Sequence, residues 1–127
     1  MLVDDLQLIS GAQLTNFPYD IGTSVIGRPA ANAVVLRFLA VRPFEIRADA
    51  DVGRAKAVIG ATNAVTLSVA KNGTPIGTFA FAAGTNVAVA DVDPTVFEAG
   101  DSLTITMPSV QDPTLSDIQI TLLGHSL

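Results

Sequence analysis

The residue types with the most obvious chemistry in this chain are one histidine and a set of acids. His125 is the only histidine among 127 residues, and there is no cysteine. Because His125 lies close to the last residue of the sequence, we expect it to be a frayed surface residue. A nucleophilic triad and a His/Cys metal site both need a positioned imidazole or thiolate. The sequence therefore predicts neither.

The acids raise the question of glycoside hydrolysis, which needs two carboxylates facing one cleft. The candidates stand in predicted turns, where Asp is favoured because it bonds the local backbone. They are Asp91, Asp93, Glu98, Asp101, Asp112 and Asp117. Turn formation is the favoured interpretation of all six. We therefore predict no catalytic residue and expect that the chain is not an enzyme.

Calcium binding is the alternative interpretation of the same acids. Asp91 and Asp93 lie on one side of an extended segment. The addition of Asp101 or Asp112 from neighbouring loops would supply some of the six to eight oxygens that calcium prefers. No EF-hand pattern occurs, so the prediction remains turn acids, with no metal and no cofactor.

The elements that must position these groups are β-strands. Val65, Leu67 and Val69 alternate with polar residues, which is typical of a strand with one buried face. The alternation leads into Asn72-Gly73, a dipeptide favoured in type I′ turns because both positions need positive φ. The sequence therefore predicts an antiparallel hairpin with a solvent-exposed tip at residues 71–74.

Comparable patterns recur along the chain at intervals of about 8 to 12 residues, which is typical of a sandwich or barrel. Residues 33–42 form an apolar run typical of a central strand or of one covered on both faces. No segment demands a helix. The predicted strands lie within residues 33–42, 44–48, 54–59, 65–71, 75–82, 102–107 and 117–122, and a further strand starts at residues 87–89.

Residues 1–31 differ from the remainder of the chain. Leu2, Leu6 and Leu8 are apolar, but several glycines and prolines interrupt any long element. We interpret this segment as an N-terminal arm with a short strand near residues 5–9, followed by a β-sandwich domain at 32–127. The arm is expected to lie over a neighbouring subunit. A first strand of the sandwich itself is a compatible alternative.

The composition bears on membranes and on self-association. Apolar residues make up 49% of the chain, yet the longest apolar runs are far shorter than the roughly 20 residues of a membrane helix. Asp4 and Asp5 stand where a secretory signal would be basic. We expect no membrane association, and burial of part of the small apolar side chains by another copy. The alternative is a tight sandwich with an alanine-rich surface.

The charge is uneven as well as acidic. The net charge is −5, but six of the seven cations and only three acids lie between residues 28 and 56, so this segment carries +3. An acidic total argues against nucleic acid as the main partner. The cations either solvate outward strand positions or contact a neighbouring subunit or an acidic scaffold.

The aromatic content bears on carbohydrate binding. The chain has no Trp and one Tyr, and most of its six Phe lie in predicted strands, where they are expected to fill the core. Sugar sites usually stack a ring on a flat aromatic face. A stand-alone lectin is therefore disfavoured, although stacking between subunits stays open.

Several short motifs occur in a characteristic order. They are Pro18-Tyr19-Asp20-Ile21, Gly27-Arg28-Pro29-Ala30-Ala31, Val34-Val35-Leu36-Arg37, Arg42-Pro43-Phe44, Lys71-Asn72-Gly73, Ile76-Gly77-Thr78, Phe97-Glu98-Ala99-Gly100-Asp101-Ser102-Leu103 and Asp112-Pro113-Thr114-Leu115-Ser116-Asp117-Ile118. In this order the chain resembles small structural proteins of tailed bacteriophages. That group includes head decoration proteins, head fibres and tail-fibre or tailspike modules.

The resemblance implies an all-β, antiparallel, jelly-roll-like β-sandwich of about eight strands, usually trimeric, that forms part of a virion. The chain lacks the heptads, collagen-like repeat or β-helix shaft of a fibre. We therefore expect a homotrimeric capsid decoration (cement) protein on the outer surface of the phage head, bound to the major capsid protein. The alternative is a host-recognition (adhesin) module of a tail or head fibre. The candidate capsid or subunit contacts are Leu2, Leu6, Leu8, Tyr19, Arg28, Arg37, Arg42 and Arg47.

Overall fold

The computed structural model describes residues 17–48 and 51–127. Within these residues the chain forms eleven β-strands and no helix. Accordingly, this part of the chain contains no helix capable of crossing a membrane. The strands are β1 (Ile21–Val25), β2 (Val34–Leu39), β3 (Phe44–Ile46), β4 (Gly53–Ile59), β5 (Val65–Lys71), β6 (Thr74–Phe81), β7 (Val87–Val92), β8 (Thr95–Phe97), β9 (Ser102–Thr106), β10 (Ser116–Leu122) and β11 (His125–Ser126).

The strand pairs are nested around the hairpin at Asn72-Gly73. β5 pairs with β6, β4 with β7, β3 with β8, β2 with β9 and β1 with β10, all antiparallel. This long double ribbon is rolled up, because β10 also pairs with β4, β9 with β5, and β7 with β6. The resulting order, β1-β10-β4-β7-β6-β5-β9-β2, is that of a jelly-roll sandwich with two four-stranded halves. The predicted fold class is confirmed.

The eight-stranded sheet is nearly closed where its first and last strands meet. Thr23 Oγ1 of β1 donates a hydrogen bond of 3.1 Å to the Val35 carbonyl oxygen of β2. β2 is the last strand in the order of the sheet. Arg37 and Leu39, on its outer side, are exposed. The prediction of a central or doubly covered strand at 33–42 is wrong, since its apolar run includes both inward and outward positions.

The hairpin that predicted the fold is present as expected. Asn72 and Gly73 have φ of 49° and 85°, and they form a two-residue loop between the paired Lys71 and Thr74. Positive φ at both central positions is the signature of a type I′ turn, whose twist matches that of the flanking strands. Asn72 to Thr74 are exposed, whereas Lys71 is half-buried.

The tip is also bonded to a neighbouring corner of the chain. The Asn72 side chain accepts from the Ser102 backbone N–H at 2.9 Å and donates to Asp101 Oδ1 at 3.0 Å. Lys71 Nζ donates to the Val96 carbonyl oxygen at 2.7 Å. These bonds join the turn between β5 and β6 to the segment that runs from β8 to β9. The hairpin tip is therefore held as part of the sandwich.

The core lies between the two halves, on the inward positions of the strands. The largest fully buried side chains are Phe44, Phe79, Phe81, Phe97, Ile46, Leu67, Leu103, Ile105, Leu115, Ile118, Ile120 and Leu122. Small residues allow the larger ones to fit. A Cβ added to Gly53 would lie 3.0 Å from Cζ of Phe79 and 2.6 Å from the Thr121 carbonyl oxygen. Gly53 thus lets the Phe79 ring pack directly under β4.

A second, three-stranded sheet of order β11-β3-β8 covers one end of the sandwich, here called the small-sheet end. Phe44 of β3 stands opposite Phe97 of β8, and their rings stack at 4.6 Å with an interplanar angle of 6°. Tyr19 and Phe38 contact Phe44 at ring-centroid distances of 5.0 and 6.0 Å. These four rings join the small sheet to the main sheet.

The predicted N-terminal arm falls partly within the described residues. Ile21–Val25 form β1, which pairs with β10, as in the alternative interpretation of a first sandwich strand. Residues 1–16, with Leu2, Leu6, Leu8 and the predicted strand at 5–9, lie outside the described residues. The structure therefore describes only the end of the arm.

Candidate interaction surfaces

The four candidate arginines do not lie on one surface. Arg28 follows β1 at the far end of the sandwich, where its Nη1 donates to the Pro113 carbonyl oxygen at 2.7 Å. Arg37 points outward from β2 in the half β6-β5-β9-β2. Arg42 and Arg47 flank β3 at the small-sheet end. The nested pairing separates residues that are close in sequence, so the basic segment 28–56 does not form a single patch.

The structure does bring two of the sequence candidates together at the small-sheet end. Tyr19 and Arg42 line a hollow of about 460 Å³, together with Phe17, Pro43 and Leu127. Phe17 is 50% exposed, while the Tyr19 ring is half-buried against Phe44. We call this the end hollow.

Arg47 forms a local ion pair and does not line the end hollow. Its Nε donates to Glu45 Oε2 at 3.0 Å, and both side chains are partly buried. Glu45 lies on β3, opposite His125 of β11. A partner would have to compete with this ion pair to bind Arg47.

His125 is not the frayed surface residue that its sequence position predicts. It lies in β11, is half-buried, and forms an additional bridge with Pro18. Its Nδ1 atom is buried without a hydrogen-bond partner among the described residues. The prediction fails because residues 17–19 add to the edge of β11 and hold this part of the chain in the small sheet.

A surface that the sequence reasoning missed runs along the outer side of β4. Val58 of β4 is 74% exposed, and Val87 and Val89 of the neighbouring β7 are 56% and 71% exposed. Hollows of about 250, 420 and 290 Å³ follow one another along this strand. We call the surface the β4 groove. A signal was present in the sequence, because residues 87–90 are apolar at outward as well as inward positions.

The β4 groove is lined by two basic residues of β4, Arg54 and Lys56, and by two acids, Asp20 and Asp51. Arg54 pairs with Asp51 at 2.9 Å on the exposed surface. Lys56 is exposed and contributes to two of the three hollows. Among the residues that the structure describes, Lys56 has no ion-pair partner. Asp20 and Asp51 line the hollow nearest Gly53, so the positive charge of the groove is local to Lys56, beside the valines of β7.

Asp112 is a buried acid that accepts hydrogen bonds from the backbone of two loops. Its carboxylate accepts hydrogen bonds of 2.9–3.0 Å from the backbone N–H groups of Thr62, Asn63, Thr114 and Leu115. Burial disfavours the charged form, but these four donors outweigh it and hold the pKa of Asp112 well below its usual range. Asp112 is therefore a structural anchor, in agreement with the turn interpretation.

The calcium alternative finds no support in the geometry. Asp112 lies at the far end of the sandwich, whereas β7 carries Asp91 towards the small-sheet end. Asp101 is bonded to the Asn72 amide and to the Glu98 backbone N–H, which lower its pKa. In residues 17–48 and 51–127, no three His, Cys, Asp or Glu side chains lie close enough together to hold a metal ion.

Comparisons with known proteins do not assign the chain to a group. No protein-family model matches it, and no curated protein matches it in sequence. Support for a function therefore comes from the fold and the exposed surfaces.

Proposed function

We propose that this chain is a non-enzymatic structural protein of a bacteriophage particle, a homotrimeric decoration protein that binds the major capsid protein on the outside of the head. The observation that carries the proposal is the row of exposed valines in the β4 groove. Exposed apolar side chains that line a groove rimmed by polar residues are typical of protein interaction sites. The jelly-roll fold is compatible with this function, and the assignment to a phage particle rests on the resemblance expected from the order of the motifs.

The sandwich is suited to clamping neighbouring subunits. Its strands are nested in one eight-stranded sheet, and hydrogen bonds from the Asp112 and Asn72 side chains join separate loops at the two ends of the domain. Burial of one exposed valine side chain contributes roughly 1.5 kcal/mol. Several such side chains per copy offset a substantial part of the entropy that is lost on association.

Replacement of Val89 by Asp is expected to convert the trimer into monomers. Val89 is 71% exposed in the single chain, so a charge there costs little folding free energy but opposes burial between copies. Light scattering during size-exclusion chromatography measures the mass. Thr66→Asp, an exposed position on the opposite half of the sandwich, is the matched control and is expected to stay trimeric. A monomeric unsubstituted protein, or a trimeric V89D variant, would contradict the role of this surface.

A host-recognition module of a tail or head fibre is the second candidate, and the end hollow favours it. The hollow places the exposed Phe17 ring, which can stack on a sugar ring, beside the Arg42 guanidinium, which can donate hydrogen bonds to sugar hydroxyls. On a glycan array of bacterial surface oligosaccharides, binding that falls about tenfold in Phe17→Ala is expected for this function. Val110→Ala, at another exposed apolar position, is the control. Absence of binding, with trimers imaged on the head of the particle, would reject the second candidate in favour of the first.

A further inference from the structure

We propose that the β4 groove binds residues 1–16 of a neighbouring copy of this chain. The inference deepens the proposed function, on whose self-association it rests, by naming the occupant of the exposed apolar surface. It follows from the geometry of the groove, from the chemistry of the two partners and from the direction in which the chain leaves the domain.

The groove exists because β4 and β7 separate towards one end. Their register contains only the pairs Ala55 with Ala88 and Lys56 with Val87, although the strands span Gly53–Ile59 and Val87–Val92. The hollow between them has a volume of about 420 Å³. That size is within the range of about 300 to 1,000 Å³ that holds a small ligand or a few side chains.

The chemistry of residues 1–16 matches that of the groove. The apolar members of this segment include Leu2, Val3, Leu6, Leu8 and Ile9, and its only charged side chains are those of Asp4 and Asp5. The groove offers exposed valines for the apolar residues, and Lys56 for an acid. The groove of a second copy carries the same Lys56, whereas the arm carries acids as its only charged side chains, so charge complementarity favours the arm.

The chain leaves the domain in a direction that suits exchange between copies. The Ser126 N–H donates to the Phe17 carbonyl oxygen, and the Tyr19 N–H donates to the Gly124 carbonyl oxygen, both at 2.8 Å. Traced backwards from Tyr19 to Phe17, the chain therefore runs along β11, away from β10 and the main sheet. Sixteen fully extended residues span at most about 55 Å, so the arm is long enough to extend well beyond its own domain.

Cross-linking between single-cysteine variants tests the inference, and the chain is suited to it because it has no cysteine. The Leu6→Cys variant is mixed with a Val89→Cys variant of different mass and treated with a bis-maleimide. This cross-linker is long enough to join the two thiols at several alignments of the arm along the groove. Docking raises the effective concentration of the two thiols, so we expect about tenfold more covalent heterodimer than for Leu6→Cys with Thr66→Cys. Lys56→Glu should lower this yield about two- to fivefold, and Asp4→Lys with Asp5→Lys should restore it.

Each other outcome contradicts the inference in an identifiable way. A dominant Val89→Cys homodimer would show that a second groove is the occupant. Cross-linking within one chain of the Leu6→Cys/Val89→Cys double variant, without heterodimers in the mixture, would show that the arm covers its own groove. Equal yields with Val89→Cys and Thr66→Cys, or none, would reject docking while leaving a trimer measured by light scattering intact. A monomeric unsubstituted protein would instead reject the proposed self-association itself.

Discussion

Replacement of Phe44 by Ala is expected to lower the free energy of unfolding by about 4 kcal/mol. The Phe44 side chain is fully buried and contacts Tyr19, Phe38 and Phe97. Its removal leaves a cavity between the small sheet and the main sheet, where the surrounding strands can collapse only in part. Urea denaturation followed by circular dichroism measures the loss, which is large compared with a total stability of about 5 to 15 kcal/mol.

Two further variants make the Phe44 result interpretable. Phe17→Ala removes the same side chain from a half-exposed position and is expected to cost less than about 1 kcal/mol. Phe44→Leu retains much of the volume, so it reports on the site if the alanine variant does not fold. A loss below about 1 kcal/mol in Phe44→Ala would show that the small sheet contributes little to the stability of the sandwich.

Replacement of Asp112 by Asn is expected to cost about 3 kcal/mol, because a buried set of charged hydrogen bonds is lost. The carboxylate holds the loop before β10 against the loop between β4 and β5 through four backbone N–H donors. In asparagine, an NH₂ group would face N–H donors and leave them unsatisfied. Asp91→Asn, at an exposed strand position, is the control and is expected to change stability by less than about 0.5 kcal/mol.

The same carboxylate makes stability depend on pH in a defined direction. The folded pKa of Asp112 lies below its unfolded value of about 3.9. A depressed folded pKa contributes stability that is fully present above the unfolded pKa and is lost as the pH falls through it towards the folded pKa. Urea unfolding between about pH 2.5 and 6 should therefore show the difference between the parent protein and the Asp112→Asn variant shrinking below about pH 4. A difference that stays constant would contradict this assignment.

The strand pattern was predictable because the residues that specify each strand and turn are close together in the sequence. Val65, Leu67 and Val69 alternate with outward residues, and Asn72-Gly73 supplies the positive φ angles of the turn. Both signals depend on local backbone geometry, so a single segment is sufficient to read them. The longer strands of the main sheet, apart from β1, were found in this way.

The short strands and the surfaces were not predictable by the same reasoning. β8 and β11 have three and two residues, too few to display a period, and they form only because β3 lies between them. Asp112 could be recognised as a turn acid, but its donors at Thr62 and Asn63 are about fifty residues away in sequence. The exposed valines of the β4 groove leave a signal in the apolar run at 87–90, but the hollow beside them depends on the separation of β4 and β7, which local patterns cannot reveal.

By itself, the sequence determined that the chain is all-β, that its central hairpin turns at Asn72-Gly73, and that catalytic sets based on Cys or several His are absent. These properties follow from composition and from backbone preferences over a few residues. Only the tertiary structure decided which loops meet at Asp112, where the arginines face and which valines stay exposed. The physical reason is that nested pairing brings together residues far apart in sequence, and their contacts depend on the register of every strand between them.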